Sequence, residues 1–150
     1  MSAKEVSLVF FYCDLGNLIF SAPTSAGKSL VADLMVLRHL NQVKNSMCIV
    51  ILPYLSLIIE KETKIAPLLK RLGLSYISVH SHKRPILPED DPPRLIFCTI
   101  EKANQMFNKL LEKNQINKVT CVLIDELHLI GDDQRGYLLE LLLTKLKFLC

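Results

Sequence analysis

Short apolar runs alternate with longer segments of helical period along the whole chain. Asn17–Ser21 (Asn-Leu-Ile-Phe-Ser) is a short run of β type. From Gly27 to Leu40 the positions Leu30, Val31, Leu34 and Leu37 recur at helical spacing. Met47 to Leu52 is apolar throughout and is stopped by Pro53. Tyr54 to Leu72 reads as a helix, with Leu55, Ile58, Ile59, Ile65, Leu68 and Leu69 on one broad face. Pro67 is expected to bend or break it, and Gly73 to end it. Ser75–Val79 and Arg94–Ile100 read as strands, and the proline-rich stretch from His80 to Pro93 as a surface loop between them. Glu101 to Lys113 is an amphipathic helix, Lys118 to Ile124 a strand, and Gln134 to Leu149 a last helix. Strands alternating with helices of this length predict a doubly wound, mainly parallel α/β sheet with helices on both faces. Ligands of such sheets lie beyond the carboxyl ends of the strands. That directs attention to the residues after Ser21, after Leu52, at Thr99 and after Ile124.

Composition changes this picture little. Hydrophobic types make up 50% of the 150 residues and charged types 22%, with a mean hydropathy of +0.29. That is enough apolar surface for one packed domain and excludes a disordered chain. The net charge of +3 neither demands a nucleic-acid partner nor forbids one. No apolar run approaches the ~20 residues that span a bilayer, and the start carries no signal-peptide pattern. The cysteines at 13, 48, 98, 121 and 150 are widely spaced with no CxxC, as expected of buried thiols in a reducing compartment rather than a zinc site or disulfide framework.

Two places carry chemistry. The first β run leads into Ala22-Pro23-Thr24-Ser25-Ala26-Gly27-Lys28-Ser29 and then a helix. This is the spacing of a phosphate-binding loop, with Ala22 in place of the first glycine. Amides from Ser25 to Ser29 at a helix N-terminus would cradle phosphate oxygens. Lys28 would reach the outer phosphates as a point charge, and the Ser29 hydroxyl would ligate Mg²⁺. The plainer alternative is a polar turn capped by Ser25. The second place is Asp125-Glu126-Leu127-His128, at the tip of the apolar strand that ends at Ile124. Asp125 would hold the Mg²⁺ shell and Glu126 would polarise the attacking water. His128 is near enough to couple the site to a neighbouring element.

At these residues the sequence resembles the DExH-type superfamily 2 helicases, and within them the Ski2-like branch. The resemblance rests on Asn17–Ala32, on Cys98-Thr-Ile-Glu-Lys-Ala-Asn104, and on Asp125-Glu-Leu-His-Leu-Ile-Gly-Asp132 with its continuation from Arg135 to Lys145. It implies the first RecA-like domain of a phosphate-loop NTPase, present in part over residues 17–150 behind a divergent segment, residues 1–16. It implies ATP and Mg²⁺ as cofactors, with Lys28 and Glu126 catalytic. It also implies contacts with a nucleic-acid backbone through Pro53, Thr99, Glu101, Lys102 and Arg135. Thr99 has a helix N-cap as its other reading, and Arg135 a contact with a neighbouring domain.

The parent activity implied is ATP-driven work on DNA, single-stranded or partly unwound, in double-strand break repair in the nucleus. An RNA helicase of the same branch, or a catalytically dead nucleotide-binding module, are the alternatives. The family's next strand, with a Ser-Ala-Thr motif between the phosphate-loop and DExH strands, is not found before Cys150. Nor are the upstream glutamine motif and the second RecA-like domain with its arginine finger. The expectation is therefore a fragment without turnover of its own. The last helix is apolar nearly all round and expects neighbours on both sides. Val6–Tyr12 is a candidate to fill the vacant strand position.

Overall fold

The computed structural model describes residues 16–21, 27–79 and 92–149, with side chains to residue 147. Four parallel strands form one sheet: β1 (Met47–Leu52), β2 (Tyr76–Val79), β3 (Leu95–Thr99) and β4 (Val119–Ile124), in the order β2-β3-β1-β4. The helices are α1 (Lys28–Gln42), α2 (Leu55–Arg71), α3 (Ile100–Glu112) and α4 (Gly136–Leu149), with 3₁₀ turns at Ile116–Lys118 and Leu127–Gly131. This is the parallel α/β sheet with helices on both faces that the alternating pattern predicts, and it is consistent with the RecA-like domain that the resemblance implies.

Alternate strand residues divide the core into two layers. Ile49, Ile51, Ile96, Cys98, Val122 and Ile124 pack with α3 and α4. Cys48, Val50, Leu52, Leu95, Phe97, Cys121 and Leu123 pack with α1 and α2. Every residue of β1 is buried, which is why the run reads as uninterrupted apolar sequence. Cys48, Cys98 and Cys121 are buried free thiols, and burial pushes the Cys98 thiol far above its ordinary range. They are core residues, as expected; Cys13 and Cys150 lie outside the described residues.

The helix ends follow local chemistry. Gly73, at φ +64°, closes α2: its N–H donates to the Lys70 carbonyl, and the Leu74 N–H donates to that of Leu69. Asn114, at φ +52°, does the same for α3 through the carbonyls of Leu111 and Leu110. The carboxyl end of α1 is capped from a distance. The Arg94 guanidinium donates to the carbonyls of Leu40 (2.6 Å), Val43 (2.8 Å) and Ser46 (2.8 Å), tying α1 to the entry of β1 and the start of β3. A buried Lys61–Asp33 pair at 2.9 Å joins α2 to α1.

Two expectations need correction. Pro67 does not end α2, which continues to Arg71. Its missing N–H leaves the Thr63 carbonyl without a helical donor, while Ile65 and Leu69, buried on either side of it, carry the helix past that gap. Asn17–Ser21 forms no strand: residues 16–21 lack regular structure, with Leu18 38% and Ile19 63% exposed. None of the described strands pairs with this segment, and β propensity without a partner does not hold an extended run of five residues. The candidate strand Val6–Tyr12 and most of the 80–93 loop lie outside the described residues. In α4, Leu139, Leu142 and Leu146 face inward while Tyr137 and Leu141 are exposed, so only one side of this apolar helix is covered.

Candidate nucleotide site and nucleic-acid face

The described candidate residues gather at the carboxyl end of the sheet. Leu52 is paired with Thr99 and Ile51 with Ile124, so Pro53, Thr99 and Asp125 leave three adjacent strands at one level. The Asp125 N–H donates to the Ile51 carbonyl at 3.0 Å, extending the β1–β4 ladder one step further.

The phosphate-loop candidates Ala22, Pro23, Thr24, Ser25 and Ala26 lie outside the described residues. Gly27, Lys28 and Ser29 do not. Gly27 immediately precedes α1 at φ +77°, ψ +17°, the left-handed conformation that glycine adopts at no steric cost. A Cβ there would meet nothing within 4 Å, so backbone conformation rather than crowding calls for this glycine. Lys28 and Ser29 fill the first two positions of α1, where amide N–H groups have no intrahelical acceptor.

One contact joins α1 to the start of β4. The β4 register slips by one residue at Thr120, and the Thr120 hydroxyl meets His39 Nε2 at 2.9 Å. From His39 back to Lys28 is eleven residues of helix, ~16 Å at 1.5 Å per residue. From Thr120 on to Asp125 is five residues of strand, also ~16 Å at 3.3 Å per residue. From this contact α1 is therefore about as long toward Lys28 as β4 is toward Asp125.

At that tip Asp125 Oδ1 accepts the Glu126 N–H at 3.0 Å. Glu126 adopts φ +59°, ψ +46°, an uncommon conformation for a residue with a Cβ. Its carboxylate lies 3.1 Å from His128 Nδ1. The chain then turns through Leu127–Gly131 into Asp132, whose Oδ1 accepts the N–H groups of Gln134 and Arg135, both at 2.9 Å. Those two amides hold the Asp132 carboxyl below its ordinary pKa. Hard oxygen donors at Ser29 and Asp125 suit Mg²⁺, and helix-start amides with a lysine suit a phosphate chain.

The candidate nucleic-acid residues form a second group on the same edge. Arg135 is its hub. Its Nη1 donates to the Pro53 carbonyl at 2.6 Å, its Nε lies 3.6 Å from Glu101 Oε1, and its Cζ stands 5.0 Å from the centroid of the Tyr54 ring. Thr99 immediately precedes α3, yet its side chain makes no capping bond. Lys102 extends from the first turn of α3 toward Gln105. Two contributors were not singled out among the candidate site residues. Tyr54 is one; its place after Pro53 was the available signal. Asn104 is the other. It is buried, donates to the Leu138 carbonyl at 2.8 Å and accepts from Lys145 Nζ at 2.9 Å, fastening α3 to α4.

A parallel sheet with a glycine-led helix start and a DExH tip at one edge defines a helicase-type nucleotide domain. Residues 10–150 match the DEAD/DEAH box helicase family, and the chain belongs to that family. Among named proteins, DNA polymerase theta of Mus musculus is 41% identical over 130 residues, covering 87% of this chain and 5% of that protein. A POLQ-like helicase of Caenorhabditis elegans is 39% identical, covering 86% of this chain and 14% of its own length. The ATP-dependent DNA helicase Hel308 of Methanocaldococcus jannaschii is 33% identical, covering 87% and 11%. The chain thus spans only a small part of the relatives it matches. Among the described residues no helix is long and apolar enough to cross a membrane.

Proposed function

We propose that this chain is the ATP- and Mg²⁺-binding half of a DNA-dependent helicase of the polymerase theta type, acting in double-strand break repair in the nucleus. In this reading residues 17–150 form the nucleotide unit, and residues 22–29 grip the triphosphate. Lys28 neutralises the outer phosphates, while Ser29 and Asp125 supply oxygen ligands to Mg²⁺, which withdraws charge from the transferring phosphoryl group. Glu126 orients the attacking water, and His128, beside that carboxylate, couples the site to a neighbouring element. Pro53, Thr99, Glu101, Lys102 and Arg135 face the DNA backbone. What supports the reading is the register that brings Pro53, Thr99 and Asp125 to one end of the sheet, with the His39–Thr120 bond holding the far end of α1 against the start of β4. Similarity to proteins named as DNA polymerase theta and as an ATP-dependent DNA helicase favours DNA over RNA.

Nucleotide binding is tested separately from hydrolysis, because turnover in this class can also draw on an arginine finger, worth 10³–10⁵. The test is titration with a fluorescent ATP analogue, with and without Mg²⁺. Lys28→Ala should weaken binding about 10- to 100-fold, the loss of a charge-assisted phosphate contact. Equal affinity of the two proteins would refute the nucleotide site.

A further inference from the structure

Tyr54 is the first residue past Pro53 at the carboxyl edge of β1, and it is 49% exposed. An exposed ring normally samples several rotamers; this one is braced. The Arg135 guanidinium stands over it at 5.0 Å, and that guanidinium is itself fixed by the Pro53 carbonyl at 2.6 Å and by Glu101 at 3.6 Å. A cation over the ring holds it by attraction to the ring quadrupole. The ring stands two residues beyond Leu52, whose register partner is Thr99. Thr99 carries a hydroxyl with no capping role, and Lys102 follows one turn into α3.

An aromatic plane held by a guanidinium, at the strand ends from which Thr99 and the first turn of α3 with Lys102 also depart, has the two parts of a single-strand site: charged and polar groups for the backbone and a flat surface for a base. We infer that Tyr54, braced by Arg135, is a base-stacking platform for single-stranded nucleic acid. This rests on the nucleic-acid face proposed above and adds to it a contact with the bases themselves. Every base presents a π-face, so the contact adds affinity without reading sequence.

The test separates bases from backbone. The full chain is titrated at low salt with a 12-nucleotide oligothymidine and with an abasic strand carrying the same number of phosphates. One stacked base should make the oligothymidine bind about 5- to 150-fold more tightly than the abasic strand. Tyr54→Ala should bring its affinity down to the abasic value. The chain contains no tryptophan, so Tyr54→Trp adds a single indole whose emission stacking quenches. That emission should fall with the oligothymidine and stay unchanged with the abasic strand. Equal binding of both strands to the wild type, or equal quenching by both, overturns the platform and leaves the backbone face standing. Binding of neither strand overturns the nucleic-acid face and the platform together. A residue that only shaped the turn would not distinguish the two strands.

Discussion

Gly136 opens α4 with an ordinary helical backbone, so its lack of a side chain is not needed for a left-handed φ. By propensity alone Gly136→Ala should stabilise the helix, by about 0.5–1 kcal/mol. The structure predicts the reverse. A Cβ built there lies 2.3 Å from the Ile130 carbonyl oxygen and 3.0 Å from its carbon, and both are backbone atoms of the turn that follows the DExH tip. Contacts under 3.0 Å are essentially never tolerated, so the turn and the helix must part by at least 3.0 − 2.3 = 0.7 Å. Overpacking of this kind costs about 1–3 kcal/mol, leaving a net loss of up to roughly 2.5 kcal/mol once the propensity gain is taken off. The displacement falls on the neighbour of Arg135. Opened by the same 0.7 Å, its 2.6 Å bond to Pro53 becomes marginal and its 3.6 Å contact with Glu101 leaves ion-pair range. Gly136→Ala should therefore unfold at lower urea concentration than wild type and also loosen the Tyr54 turn, read as faster amide exchange over residues 54–58. An alanine variant as stable as wild type, with unchanged exchange there, would show that α4 and the Leu127–Gly131 turn are not in close contact.

Three further outcomes follow from bonds away from that joint. Arg94→Lys keeps the charge but cannot fork across three carbonyls, and should cost about 2–3 kcal/mol in urea unfolding; a loss below the error of the fit would deny the cap on α1. Asn104→Leu strands the Lys145 ammonium, already disfavoured by burial, and should cost about 1–3 kcal/mol. Adding Lys145→Met should recover part of that, and failure to recover any would place the cost elsewhere. The Asp132 carboxyl has a folded pKa below its ordinary 3.8, so its stabilising effect is complete above 3.8 and is lost as pH falls through the lower folded value. Asp132→Asn removes that titration, and thermal melts from pH 5 downward should fall more steeply for wild type than for the variant. Parallel curves would exclude the bonds to Gln134 and Arg135 as the cause.

The parts of the fold legible in the chain are those decided within one element. β1 is apolar at every position because both its faces are covered, α3 shows its buried stripe directly, and Gly73 closes α2 through bonds to residues three and five positions earlier. Composition of a segment is enough for each of these. The parts that were not legible depend on a partner distant in sequence. Asn17–Ser21 has strand composition, but a strand is a pair, and none of the described strands supplies the other member. Pro67 removes one helical bond, but the packing of Ile65 and Leu69 that carries α2 past it is with other elements of the fold. Arg94, Asn104 and Tyr54 look unremarkable in sequence because their partners are 34 to 81 positions away. The same distinction runs through the candidate site. The glycine-lysine-serine and DExH strings are legible because phosphate and metal chemistry fixes residue type at fixed spacing. The face beside them is assembled from three strand ends that meet only in the fold, and the guanidinium of Arg135, just before α4, holds two of those ends together. Local spacing can therefore propose a phosphate grip, but what stands beside it has to be read from the register of the sheet.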